Sequence, residues 1–367
     1  VTPRCVRCLS SRCRSSESAR RAVGPFAVGS VVRQHEVMKT VWMARSLRAT
    51  VATSAAWWAV HCSSPSVRSF TPPSFPGTRH GELWARSRGD SSVSIVLLHG
   101  LLSSGDVFGG MLKNMPAQQR VVVPDLLGFG RSLAPERAAF PPEAHLEALD
   151  HLADRLDLFG RDGVVVGAHS MGCALAVMWA ARHPSEVRRV VCFGAPVQRS
   201  AIAARTAVAG TPMASLFGLN RRLAAGACRL SCRHRRLAGW LSALASPRLP
   251  AALARQAPLH TWPAYRDAVT SLVIEMDWHH PLADLAKLDV TVDLAHGERD
   301  DYVDRQFVHE LCQRGADSAE AVQVSSAGHR LPLTHPRTCA RLVLRDLSER
   351  TPGSSSDRLP GVSDSLS

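Results

Sequence analysis

The chain has 367 residues and a formal net charge of +13, enough length for one large α/β domain plus appendages. No stretch of about 20 apolar residues occurs, which leaves no transmembrane helix to assign, and the ten cysteines lack the spacing of a disulfide framework. The charge is uneven: residues 1–69 carry 11 basic and 2 acidic residues, residues 197–266 carry 11 arginines and no acid, and the remainder is net negative.

Residues 1–77 read as a basic leader without periodicity. A targeting segment is the alternative, because Lys39, Arg45 and Arg48 precede a mild apolar run over 49–60. Cys5, Cys8 and Cys13 lack a fourth ligand for a metal site, and Cys228, Cys232 and His234 are as weak a pattern. Pro72, Pro73, Pro76 and Gly77 mark a linker, so the ordered domain should open near Thr78. An entry strand is expected over 82–88, a buried strand over 93–98 ending in His99-Gly100, and a helix over 106–115. A strand at 121–123 leads into the loop Leu126 to Ser132. Leu146, Leu149, Ala153 and Leu156 recur at helical spacing.

The run Val164-Val165-Val166 suits a strand buried on both faces. It ends in Gly167-Ala168-His169-Ser170-Met171-Gly172, and a helix follows to Arg182. Small residues around Ser170 permit a sharp strand-to-helix turn that exposes the hydroxyl, with the first helical amides facing the same space. This is the pattern of a nucleophile elbow, G-x-S-x-G, with Ala168 in the place of the first glycine. A strand over 187–193 follows. Residues 197–280 then break the strand-helix rhythm with Ala-, Leu- and Arg-rich helical stretches, which reads as a helical insertion. Alternation returns with a strand at 290–295, a helix at 306–314, a strand at 321–324 and a last helix at 337–349. Residues 351–367 read as a disordered tail. The pattern implies an α/β fold, a mostly parallel central sheet with helices on both faces. The core is 78–196 and 281–350.

A serine hydroxyl is a poor nucleophile until a base takes its proton and a carboxylate orients that base. Asp300 follows the strand at 290–295, and His329 follows the strand at 321–324. Ser170, Asp300 and His329 therefore fall in that order, each just past a strand end. Asp301 and, on an earlier segment, Asp277 are rival acids. His99 is expected to pack beneath the neighbouring loop, and Asp125 to shape its own loop.

From about 78 to 349 the chain resembles the α/β-hydrolase-fold enzymes. The matching pieces are His99-Gly100-Leu101, D-L-L-G-F-G-R-S from Asp125 to Ser132, the Ser170 turn, H-G-E-R-D ending at Asp300, and A-G-H ending at His329. The resemblance implies that the amides of Leu101 and Met171 form an oxyanion hole and that Gly100 and His169 border the substrate, the His169 side chain pointing away along its strand. A serine nucleophile sets aside the relatives that use aspartate. Ester hydrolysis is the leading expectation, C–C bond hydrolysis or acyl transfer the alternative, and a catalytically silent binding protein the rival from another class.

No Gly-rich phosphate loop or metal triad appears, so no cofactor and no metal are expected. The expected partner is a small-molecule acyl substrate. Residues 197–280 read as a lid, in which Arg222, Arg229, Arg233 and Arg236 would share one helix face and the apolar residues between them would face the core or a lipid. An anionic membrane surface is thus a second candidate partner, weighed against a solvated cationic face paired with the net-negative remainder. Nucleic acid is not expected, because the basic run contains no recognised binding module. The reading for location is cytoplasmic, with membrane association as its variant.

Overall fold

The computed structural model describes residues 70–160, 162–209, 221–246, 248–314, 318–345 and 347. The expectations for a leader and for a tail over 351–367 fall outside the described residues, apart from 70–77.

The described strands form one eight-stranded sheet in the order β1-β2-β4-β3-β5-β6-β7-β8. They are β1 (Gly77–His80), β2 (Leu83–Arg88), β3 (Ser94–Leu98), β4 (Arg120–Asp125), β5 (Val164–His169), β6 (Val187–Phe193), β7 (Thr291–Gly297) and β8 (Ala319–Val324). β1 and β2 pair antiparallel, as do β2 and β4, and every later pairing is parallel. Side chains alternate across the pleat, so the central strands feed two cores. Val96, Leu98, Val122, Val164 and Val166 join one apolar cluster, and Ile95, Leu97, Val121, Val123 and Val165 the other. This double burial is why the central strands read as unbroken apolar runs.

The helices cover both faces. α1 (Pro142–Leu156) turns Leu149, Leu152 and Ala153 inward. α2 (Met171–Arg182) is apolar nearly all round and almost wholly buried, the pattern of a helix enclosed by its neighbours. Between β6 and β7 lie α3 (Ala201–Ala209), α4 (Arg221–Arg233), α5 (Arg235–Ala245), α6 (Trp262–Asp267) and α7 (His279–Lys287). α8 (Arg305–Arg314) and α9 (Pro336–Leu344) complete the layers.

Three expectations are corrected. Residues 70–77 are not a free linker: Phe70 and Phe75 pack on the core, Arg86 Nε donates to the Phe75 carbonyl at 3.0 Å, and Gly77 already lies in β1. The helix expected over 106–115 is a 3-10 turn followed by one short α-turn. Arg236 does not share a helix face with Arg222, Arg229 and Arg233, because the chain breaks at His234 (φ −117°, ψ 47°) between α4 and α5. Of the two sides left open for the intervening apolar residues, core or lipid, the core is not the one taken: Leu223, Leu230, Leu237, Trp240 and Leu241 are exposed.

His145 on α1 is buried, and neither ring nitrogen has a hydrogen-bond partner. Burial pushes its pKa down to about 4. The unfolded chain takes up this proton near pH 6.5, so stability present above that pH is lost as pH falls towards 4. The depression corresponds to about 3 kcal/mol at the acid end. His145→Leu, which removes two unsatisfied nitrogens, is expected to flatten this limb. Urea melts of both proteins between pH 4.5 and 8 check it: the gain should grow as pH falls, and a constant offset would contradict it.

Candidate active site

Three strand ends meet at one place. β5 ends at His169, and Ser170 turns the chain into α2 with φ 53° and ψ −123°, a backbone that is strained for any residue with a side chain. Neighbours hold it there: Ser170 N–H donates to the Phe193 carbonyl at 3.0 Å, and Cys173 N–H donates to the Ser170 carbonyl at 2.9 Å. The approach is close enough to demand glycine. A Cβ on Gly172 would stand 2.6 Å from the carbonyl oxygens of both Leu98 and His99, and one on Gly100 would stand 2.9 Å from Ser170 Cβ. Ala168, in contrast, is fully buried in β5 among apolar neighbours.

His329 lies in the loop after β8. Its Nε2 is 2.9 Å from Ser170 Oγ, and its Nδ1 is 3.1 and 3.0 Å from the two Asp300 oxygens. An ionised carboxylate only accepts, so Nδ1 carries the proton and Nε2 is left to accept from the Ser170 hydroxyl. Asp300 is buried just past β7, and its Oδ1 also accepts Tyr302 N–H at 3.0 Å. The rivals lie elsewhere. Asp301 is exposed. Asp277 is exposed and engages His280 and the His279 N–H.

Three further residues shape this cluster. Gly194, at φ 60°, lies where a Cβ would stand 3.0 Å from both Asp300 Oδ2 and the His329 carbonyl. The Tyr302 ring centroid is 4.5 Å from that of His329. His169 corrects the expectation that its side chain points away: its Nε2–H donates to the His329 carbonyl at 3.0 Å, and the two ring centroids are 5.1 Å apart. Burial drives its pKa down to about 3, so the ring stays neutral as a fixed donor. Gly194 and Tyr302 carried no signal beyond following a strand and an acid.

The loops beneath Ser170 are tied by paired donors and acceptors. His99 Nδ1–H donates to the Gly100 carbonyl, and Nε2 accepts from Leu126 N–H, both at 2.8 Å. Burial lowers the pKa of His99, which preserves this neutral tautomer. Asp125 accepts from Gly105 N–H and Arg131 N–H at 2.8 Å each, and so shapes its loop. Leu101 continues the loop from Gly100, partly buried against the core. Met171 opens α2, where first-turn amides have no acceptor within the helix. Cys228 and Cys232 lie 3.9 Å apart, with Cys228 Sγ 3.5 Å from His260 Nε2 rather than near His234. Among the described residues no group of three His, Cys, Asp or Glu side chains is placed to hold a metal ion.

Comparison with known proteins agrees with this architecture. A family model for the alpha/beta hydrolase fold matches residues 93–336, more than half of the chain. The chain belongs to this family. It is 30% identical over 106 residues to Lipase 1 of Psychrobacter immobilis, covering 29% of this chain and 32% of the lipase. It is 28% identical over 108 residues to a probable lysophospholipase, BODYGUARD 2, of Arabidopsis thaliana, covering 28% of this chain and 22% of that one. The chain thus spans about a third or less of the length of these curated relatives. Among solved structures, carboxylesterase CesB of Bacillus subtilis aligns with a TM-score of 0.52 at 18% identity, over 82% of this chain and all of that one. E-2-(acetamidomethylene)succinate hydrolase aligns with a TM-score of 0.56 at 19% identity, over 74% and 98%. At these identities the structural likeness speaks for the fold.

Proposed function

We propose that the chain is a serine hydrolase that cleaves carboxylic esters through an acyl-enzyme. The observation that carries this reading is the Ser170 Oγ to His329 Nε2 distance of 2.9 Å, with the opposite ring nitrogen held by Asp300. Ser170 Oγ attacks the acyl carbon while His329 Nε2 takes the hydroxyl proton. Asp300 holds the resulting imidazolium. The negative charge on the former carbonyl oxygen is met by the amides of Leu101 and Met171. His329 then gives its proton to the departing alkoxide. Water, deprotonated by His329, attacks the acyl-enzyme and frees the acid and Ser170. Gly100 and His169 border the reacting atoms, and His169 fixes the backbone that carries the base.

The helical segment 197–280 serves as the lid. Its tethers support this reading: Gln256 Nε2 donates to Asp106 at 2.6 Å, Ser104 Oγ donates to Gln256 Oε1, and Gly130 N–H donates to the Leu259 carbonyl at 2.9 Å. These join the segment to the loops after β3 and β4, at the strand ends where Ser170 sits. The names of the relatives, lipase and probable lysophospholipase, support an ester substrate.

The direct test is labelling with a fluorophosphonate, followed by peptide mapping, beside a panel of p-nitrophenyl esters. Label on Ser170 and turnover of at least one ester are expected. A folded protein that neither labels nor turns over any ester or thioester would overturn the reading in favour of a binding protein.

A further inference from the structure

The helices α4 and α5 turn their apolar residues outward. A helix packed on a core ordinarily buries its large apolar side chains, yet the buried positions here are small: Ala224 and Cys228 on α4 and Gly239 on α5. Gly239 sets the close packing, because a Cβ there would stand 2.9 Å from the Arg255 carbonyl oxygen. The large residues are exposed instead, with Leu230 at 63%, Leu237 at 61%, Trp240 at 56% and Leu244 at 66% of full exposure. Leu237, Trp240, Leu241 and Leu244 recur at three and four residues, so they share one face of α5. On α4, Arg229 and Arg233 are four apart and exposed beside Leu230. Arg236 stands exposed at the start of α5. An exposed apolar helix face of this kind marks a contact with something else.

The charge says what that contact is. No acid lies between 187 and 266, so the segment brings no counter-charge of its own. A second copy in a two-fold dimer would set like face against like face, arginine against arginine. Residues 1–69, with 11 basic and 2 acidic residues, would repel it as well. An apolar strip bordered by guanidinium groups matches the layered chemistry of an anionic bilayer, acyl chains below phosphate headgroups.

We propose that the outward face of α4 and α5 docks on an anionic phospholipid bilayer. Leu237, Trp240, Leu241 and Leu244 enter the boundary between headgroups and acyl chains, and Arg229 and Arg233 contact the phosphates. The proposal stands apart from the catalytic reading, since it uses none of the same residues. Among the described residues no helix is long and apolar enough to cross a membrane.

The test is co-sedimentation of the full chain with vesicles of phosphatidylcholine alone or mixed with phosphatidylglycerol, at low and physiological salt. Partition onto the mixed vesicles should exceed that onto phosphatidylcholine by about tenfold at low salt and shrink as salt screens the arginines. Leu237→Glu/Leu241→Glu and Arg229→Gln/Arg233→Gln should each lower it about tenfold. Both variants change exposed positions, and circular dichroism and melting should match the parent. Equal recovery with both lipids would overturn the proposal. So would undiminished binding by the leucine variant, which would move the contact to residues 1–69. A dimer that the leucine variant abolishes, without vesicle binding, would assign the face to a second copy.

Discussion

Ser170→Ala is expected to lower ester turnover about 10⁵-fold while the protein stays folded. His329→Ala should cost nearly as much, and the double variant little more, because the two side chains act as one unit. Single-turnover assays on a p-nitrophenyl ester, beside thermal melts, separate loss of chemistry from loss of fold. The backbone adds a second expectation at the same position. Ser170 is held at φ 53°, a region that costs a residue with a Cβ of the order of 1 kcal/mol or more. Ser170→Gly should therefore melt above Ser170→Ala although both are inactive. The reverse order would argue against a strained turn.

Gly172→Ala is expected to destabilise the protein by about 3 kcal/mol, against the helix propensity of the change. Alanine within a helix ordinarily gains about 1 kcal/mol over glycine. Here its methyl group would enter the space held by the Leu98 and His99 carbonyls, 2.6 Å away, and backbone cannot rotate aside as a side chain does. The first turn of α2 must lift from the end of β3, carrying Ser170 with it. A misplacement of about 1 Å is enough to cost on the order of 100-fold in rate. Urea melts and the rate of fluorophosphonate labelling check the two halves of this expectation. Parental stability would show that the two backbones separate without cost.

What the sequence made legible is what local pattern encodes. Parallel strands buried on both faces appear as apolar runs. Ser170, Asp300 and His329 stand just past the ends of such runs, so one sheet edge gathers them. β1 went unread because Thr78, Arg79 and His80 offer no apolar alternation; it is an edge strand whose pairing to β2 supplies what its side chains do not. For His169, strand alternation gives a direction but not what the loop after β8 brings to meet it. The spacing of the arginines in the insertion continues through His234, and a single non-helical residue leaves little trace in a periodicity. The outward leucines were ambiguous for a related reason: an amphipathic pattern says that two faces differ, and packing decides which is covered.

The crossover between β6 and β7 has an evolutionary consequence. These strands are parallel neighbours in register, Phe193 beside Ala295, so a long connection between them is required whatever its content. Loop-closure entropy grows slowly, by about 0.6 kcal/mol for each doubling of length. Residues can therefore be gained, lost or exchanged within that connection while the strand ends keep their positions. The tethers at Gln256 and Leu259, and the packing of Ala264, Ala268, Leu272 and Trp278 in the core, restrict the exchange at those positions. The exposed face of α4 and α5 can therefore vary in sequence while the strand ends that carry Ser170, Asp300 and His329 stay in place.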